Sequence, residues 1–387
     1  MNLSSSDYDN NHDDDENEAS AVHPLIPCNF RLPRNFNDSV NNSNPHPQRS
    51  SRNVMGKMGY YCTDTCTPII SELVEELEID ASTVSTAVGI AINYSTADTS
   101  DETEGVVVYA LCTHPGHHAA RDSFGGYCYV NNAAMATRLL QESLSPSSGV
   151  MSTQGISETE ANNSNSTCAK VAILDVDYHC GNGTASIFYN DPSVLVVSIH
   201  CHPDYEYPFH SGFGDETGGS DAARGCTLHL PLLPGATWQS EYQTVLREKA
   251  GTAILGFQPD AFVLSLGLDT HAGDPCATWR AGFLLKGGDG HNGDNDYHSM
   301  GKVIGDIVAG CSNGCNRRLG GKNNNIDETR AAATTTKMIP VVVLQEGGYA
   351  MEAVPSAAAD VLLGVATAMG RREEEKNRSD ETLATLK

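Results

Sequence analysis

Asp175-Val176-Asp177-Tyr178-His179-Cys180-Gly181-Asn182-Gly183 follows directly on the apolar run Val171-Ala172-Ile173-Leu174. In extended backbone, side chains alternate faces with period two, so Asp175, Asp177 and His179 leave the strand on one side. Two carboxylates and an imidazole suit a divalent ion, and three protein ligands leave one coordination position open for water. A plain turn competes with this reading, since Asp and Asn favour turns and Gly181 and Gly183 bend the chain. The other strand ends decide between the two.

Four more short apolar runs finish in chemically useful residues. Val106 to Cys112 leads into His114-Pro115-Gly116-His117-His118, and Val194 to Ile199 carries Ser198 and ends at His200. Ala261 to Leu266 opens into Gly267-Leu268-Asp269-Thr270-His271, which offers Asp269 as the missing ligand. Ile339 to Leu344 opens into Gln345-Glu346-Gly347-Gly348-Tyr349. In open α/β sheets ligands bind in the crevice beyond the carboxyl ends of parallel strands, so five such ends define one site. Helical spacing in Pro68 to Ile79, Ala133 to Leu140, Tyr242 to Phe257 and Val354 to Met369 alternates with the strands. The sequence therefore predicts an α/β fold with a mainly parallel central sheet and helices on both faces.

The 387 residues suffice for one sizeable core. Residues 1–56 are rich in Asn, Asp and Ser, with seven acids and no Lys or Arg in the first twenty positions, which predicts a disordered extension. Next comes a domain over 57–370, with low-complexity loop insertions near 145–167, 287–296 and 312–337, and then a charged tail over 371–387. Formal net charge is −25, from 24 Lys and Arg against 49 Asp and Glu, which disfavours direct binding to nucleic acid and favours a cationic substrate. Twelve Cys without a C-x-x-C pair, and no signal peptide, fit reduced thiols in the cytoplasm or nucleus. No apolar stretch is long enough to span a membrane.

The ordered motifs G-Y-Y-C-T-D-T-C-T-P-I (from Gly59), H-P-G-H-H-A (from His114), G-G-Y-C-Y-V-N-N-A-A (from Gly125), D-V-D-Y-H-C-G-N-G-T, V-S-I-H (from Val197), G-F-G-D-E-T-G (from Gly212), L-P-L-L-P-G-A-T (from Leu230), S-L-G-L-D-T-H-A-G-D-P (from Ser265) and Q-E-G-G-Y-A (from Gln345) extend over some three hundred residues. Together the chain resembles the zinc-dependent histone deacetylases and, more closely, their acetylpolyamine amidohydrolase branch. The resemblance implies the arginase/deacetylase-like three-layer fold. It implies one zinc ion held by Asp177, His179 and Asp269, with His118 as the proton-transfer group and His117 as its tandem partner. Asp175 and Asn182 would orient the two imidazoles, and Tyr349 would donate its hydroxyl to the substrate carbonyl. Gly126, Tyr127 and Tyr207 would line a narrow acyl tunnel, with Gly347 and Gly348 letting the backbone swing Tyr349 inward. A potassium ion would be bound through Asp175, Asp177, His179, Ser198 and Ile199, partly by main-chain oxygens. Asp274 reads as a cap or loop support rather than a ligand.

The activity implied by the resemblance is that of a hydrolase acting on acetyl-lysine in proteins such as histones, or on acetylated polyamines, with a homodimer among the assemblies it allows. A catalytically silent module that binds acyl-amines without turnover is the alternative. A dimanganese ureohydrolase is disfavoured, because it needs D-x-H-x-D where this chain has D-x-D-x-H. The chain departs from the family pattern at Cys180, where a second consecutive His is common, in its low-complexity start, and near Thr278, where no acidic residue stands.

Overall fold

The computed structural model describes residues 71–96, 105–145, 168–209, 211–275, 282–287, 295–315 and 338–385. The segment 1–56 and most of the three stretches read as insertions lie outside the described residues. Six strands, β1 (Val107–Ala110), β2 (Val171–Asp175), β3 (Val194–Cys201), β4 (Thr227–Leu232), β5 (Ala261–Leu266) and β6 (Val341–Gln345), form one parallel sheet in the order β1-β6-β5-β2-β3-β4. From β2 the chain adds β3 and β4 on one side, and the later β5 lies on the other. A crevice opens where the order reverses, beyond Asp175 and Leu266.

Period-two alternation splits the strands between two cores. Ala172, Leu174, Leu195, Val197, Phe262, Leu264, Val341 and Val343 face one way. They meet α5 (Asp296–Cys315), α6 (Val354–Thr385) and the segment Trp238–Ala250, which is wound as two π-helical turns leading into α4 (Gly251–Phe257). Val171, Ile173, Val194, Val196, Ala261, Val263, Val342 and Leu344 face the other way, against α1 (Ser71–Thr96), α2 (Asn132–Leu144) and α3 (Asn182–Phe188). Both faces are buried, so the strands read as continuous apolar runs and not as alternating ones.

Sequence reasoning found five of these strands and missed β4, whose Thr-Leu-His-Leu-Pro-Leu pattern belongs to a sheet edge. It also left out α3 and α5. The latter runs to Cys315, into the stretch read as an insertion from 312, and α6 continues from the apolar Val354–Met369 segment to Thr385. Helices α5 and α6 lie backbone to backbone. A Cβ on Gly301 would stand 2.1 Å from the Val361 carbonyl oxygen, and one on Gly364 would stand 2.3 Å from that of His298. Gly364→Ala must push the helices apart, so it should destabilise the fold by about 1–3 kcal/mol, read from urea unfolding midpoints. Unchanged stability would refute the close crossing.

Candidate functional site at the carboxyl edge of the sheet

Asp175 ends β2 and Asp177 and His179 come just after it, while Asp269 lies three residues beyond β5. Asp177, Asp269 and His179 come together with one potential ligand atom each, all within 4.8 Å of one another. His179 Nδ1 is 3.2 Å from Asp177 Oδ1 and 2.8 Å from Asp269 Oδ2. Backbone amides hold the carboxylates in place. The N–H of His179 donates to Asp177 Oδ1 at 2.8 Å, that of Gly347 to Asp177 Oδ2 at 2.8 Å, and that of Tyr178 to Asp269 Oδ1 at 2.8 Å. Asp269 Oδ2 stays buried without an aligned donor. Gly347 keeps the space beside it clear, since a Cβ there would sit 2.7 Å from Asp177 Oδ2 and 2.8 Å from Asp269 Oδ2.

The tandem histidines stand on the loop after β1, which Asn131 and Asn132 tie to the start of α2. Asn131 caps that helix through the Ala134 N–H and gives its own amide to the Ala119 carbonyl, while Asn132 bonds the His114 carbonyl. The two rings lie 3.9 Å apart between centroids. His117 Nδ1 meets Asp175 Oδ2 at 2.9 Å, and His118 Nδ1 meets Asn182 Oδ1 at 2.7 Å. Their electrostatics diverge. Burial opposes charge on His117, but Asp175, Asp177 and Glu346 overcome it and push the ring up to about 10. Burial and the neighbouring His117 and His179 hold His118 well below 6.5, so it is neutral at physiological pH. Asp269 is pushed up to about 7 by burial and the Asp177 charge, and Asp177 is lowered by His117 and His179 against its own burial.

Aromatic side chains surround the pair. Tyr207 packs edge-on against His118 with centroids 4.7 Å apart, and Tyr127 lies 6.1 Å from Tyr349. Tyr127 is 48% exposed, so its ring is not part of the core. Gly126, at φ +57°, leaves the ring of His118 room that a Cβ 2.2 Å from its Cδ2 would take. Gly348 turns at φ +138° just before Tyr349. Asp274 anchors that turn, its Oδ2 accepting the Tyr349 N–H at 2.6 Å and the Ala350 N–H at 2.9 Å. Ser198, in register with Asp175 across β2 and β3, accepts the Gly181 N–H at 3.4 Å, and Ile199 is next in the strand.

Sequence reasoning passed over Glu346. Its Oε2 accepts the N–H groups of Gly116 at 2.7 Å and His117 at 3.1 Å, and its Oε1 accepts Ser265 Oγ at 3.0 Å, so β5 and β6 both fix the histidine loop. Burial pushes this carboxyl up to about 7. The only signal was an acid at a strand end just before two glycines. A second group was also overlooked, in which Cys180, His200 and His229 lie buried together.

A parallel sheet wrapped by helices on both faces, with these groups at its carboxyl edge, is the three-layer arginase/deacetylase architecture. The chain belongs to the histone deacetylase domain family, whose model matches residues 34–151 and 155–283. It is 34% identical over 311 residues to acetylpolyamine amidohydrolase 1 of Pseudomonas aeruginosa, covering 80% of this chain and 68% of that protein. It is 34% identical over 206 residues to histone deacetylase 8 of Arabidopsis thaliana, covering 52% of this chain and 48% of that protein. Among solved structures, acetylpolyamine aminohydrolase from Burkholderia pseudomallei superposes with a TM-score of 0.52 at 28% identity, over 75% of this chain and 62% of that one. The HD domain of HDA15, at 21% identity and a TM-score of 0.54 over 81% of this chain and 69% of its own, shares the fold. Among the described residues, no helix is long and apolar enough to cross a membrane.

Because the folded pKa of His117 lies above its unfolded value near 6.5, its charge stabilises the metal-free protein fully below about pH 6.5, and that stability is lost as pH rises through about 10. Urea midpoints of metal-free protein should fall across this window, and Asp175→Asn should flatten the fall. A midpoint that rises with pH would contradict the assignment.

Proposed function

We propose that the protein is a zinc-dependent amidohydrolase that removes acetyl, or another short acyl group, from acetyl-lysine in proteins or from acetylated polyamines. The observation that carries this reading is the placement of His118, its Nδ1 2.7 Å from Asn182 Oδ1 and its ring centroid 6.0 Å from that of His179 in the carboxylate–imidazole cluster. The residues fit the ion. The donor set is two carboxylates and one imidazole, Asp269 Oδ2 is buried with His179 Nδ1 2.8 Å away but no aligned N–H, and Gly347 clears the space beside it. Asp177, His179 and Asp269 would hold zinc, which when bound acts as a Lewis acid toward the acyl carbonyl and the attacking water.

The chain's own groups do the rest. His118 takes one proton from the water as its oxygen bonds to the acyl carbon, and returns it to the nitrogen as the C–N bond breaks, leaving a carboxylic acid and an amine. Asp175 fixes the orientation of His117, whose positive charge keeps the neighbouring His118 a weak base and so a ready proton donor. Tyr349 gives its hydroxyl hydrogen to the carbonyl oxygen as negative charge gathers there, on a turn that Asp274 holds. Tyr127 and Tyr207 enclose the acyl arm and its amine stem. The excess of acidic side chains supports a cationic amine as the substrate. A potassium ion would be held through Asp175, Asp177, His179, Ser198 and Ile199, partly by main-chain oxygens.

Tyr349→Phe should lower kcat about 100-fold on an acetyl-lysine peptide or acetylspermidine and leave metal content unchanged. His118→Ala should lower it by about 100- to 10,000-fold. Acetate release measured on both substrates, before and after chelation and zinc replacement, is the check. Zinc-loaded protein that turns over neither acylated amine would sink the proposal.

A further inference from the structure

Cys180, His200 and His229 come from the exit of β2, from β3 and from β4, and their relative exposures are 0%, 0% and 3%. One potential ligand atom from each lies within 4.8 Å of the others. Cys180 Sγ is 3.5 Å from His229 Nδ1. A tetrahedral ion with Zn–S of about 2.3 Å and Zn–N of about 2.0 Å sets its sulfur and nitrogen ligands about 3.5 Å apart. A thiol hydrogen bond has the same span and would account for that pair alone.

Two further features point to an ion. His229 Nε2 is buried without a hydrogen-bond partner, and Glu216 Oε2 lies 3.7 Å behind it. Imidazoles that bind metal through one nitrogen commonly turn the other toward a carboxylate. The second feature is Gly212, where a Cβ would stand 2.8 Å from His200 Nε2 and 2.9 Å from Cys180 Sγ. This glycine lets the chain pass directly against two of the three donors. Glu216 secures it, accepting the Gly212 N–H at 3.1 Å and Ser211 Oγ at 2.8 Å.

We propose that Cys180, His200 and His229 form a second zinc site, separate from the Asp177–His179–Asp269 cluster and independent of the reading of that cluster. Thiolate and imidazole donors select zinc over the hard cations magnesium and calcium. The thiol proton leaves on binding, His200 exchanges its 2.9 Å contact with the Gly212 carbonyl for the ion, and water completes the tetrahedron. Such an ion would clamp the turn that carries Asn182, the partner of His118, to the edge of the sheet.

The test is metal content and cobalt spectroscopy on the full chain. Zinc-reconstituted protein should carry two ions by mass spectrometry, falling to one in Cys180→Ser, in His229→Asn and in the double variant Asp177→Asn/Asp269→Asn. Cobalt in that double variant should give a thiolate-to-metal charge-transfer band in the near ultraviolet, and Cys180→Ser should abolish the band. The Asp177–His179–Asp269 cluster has only oxygen and nitrogen donors, and loss of the band in Cys180→Ser separates the second site from the buried His117–Cys128–Glu346 group. Fully loaded wild type that lacks the band, or a zinc content that Cys180→Ser leaves unchanged, overturns the proposal. Deacetylation by such a protein would still leave the catalytic reading intact.

Discussion

Four carboxylates, those of Asp175, Asp177, Asp269 and Glu346, are buried at the carboxyl ends of β2, β5 and β6. Removing an ionised carboxylate from water is tolerable only when donors or positive charge replace the lost hydration. Here the replacement is largely main chain. The N–H groups of Gly116, His117, Asp177, Tyr178, His179 and Gly347 each point at one of these acids. Such amides are free because the chain leaves the sheet at these points and no longer has a ladder partner. His117 and His179 add positive charge, yet burial and the Asp177 charge still push Asp269 up to about 7. A proton on Asp269, or a cation among these groups, would balance them.

That demand also separates the roles of two adjacent histidines. His117 is fixed on three sides, by Asp175 at its ring and by Glu346 at its own and the preceding amide, and its charge compensates the acids around it. His118 faces an uncharged amide oxygen on Asn182 and has a positive ring 3.9 Å away. One imidazole is thereby committed to holding charge, and the other is left neutral. Covalently the two are identical, and the difference lies entirely in what each ring meets.

The strand ends were legible because the sheet is buried on both faces, so each strand announces itself as an uninterrupted apolar run. The convergence of Asp177, His179 and Asp269 was legible for a related reason, since period-two spacing and a carboxyl-edge position are consequences of the pleat alone. β4 was not legible, because an edge strand tolerates His229 and Pro231. α5 begins with Asp-Tyr-His-Ser and contains Gly301, Gly305 and Gly310, which weaken a helical pattern, yet the same glycines let it lie against α6 and α4. Glu346 was invisible for a deeper reason. It acts on backbone N–H groups, which every residue but proline carries, so no partner side chain marks its role in the sequence.

The exit of β2 shows how one short stretch supplies two pockets. Asp175, Asp177 and His179 turn toward the crevice between β2 and β5, whereas Tyr178 packs edge-on against Phe283 in the core and Cys180 meets His229 beneath β3 and β4. Alternation thus persists for five residues past Asp175, although the hydrogen-bonded ladder stops there. Two glycines allow it. A Cβ on Gly181 would come within 2.2 Å of Asp175 Oδ2, and one on Gly183 within 2.4 Å of the Ala119 carbonyl oxygen, so both positions are closed to any side chain. The turn is therefore packed as tightly as the sheet it leaves. Any force that anchors Cys180 on one side is transmitted through Gly181 to Asn182 on the other, and hence to the imidazole that Asn182 holds.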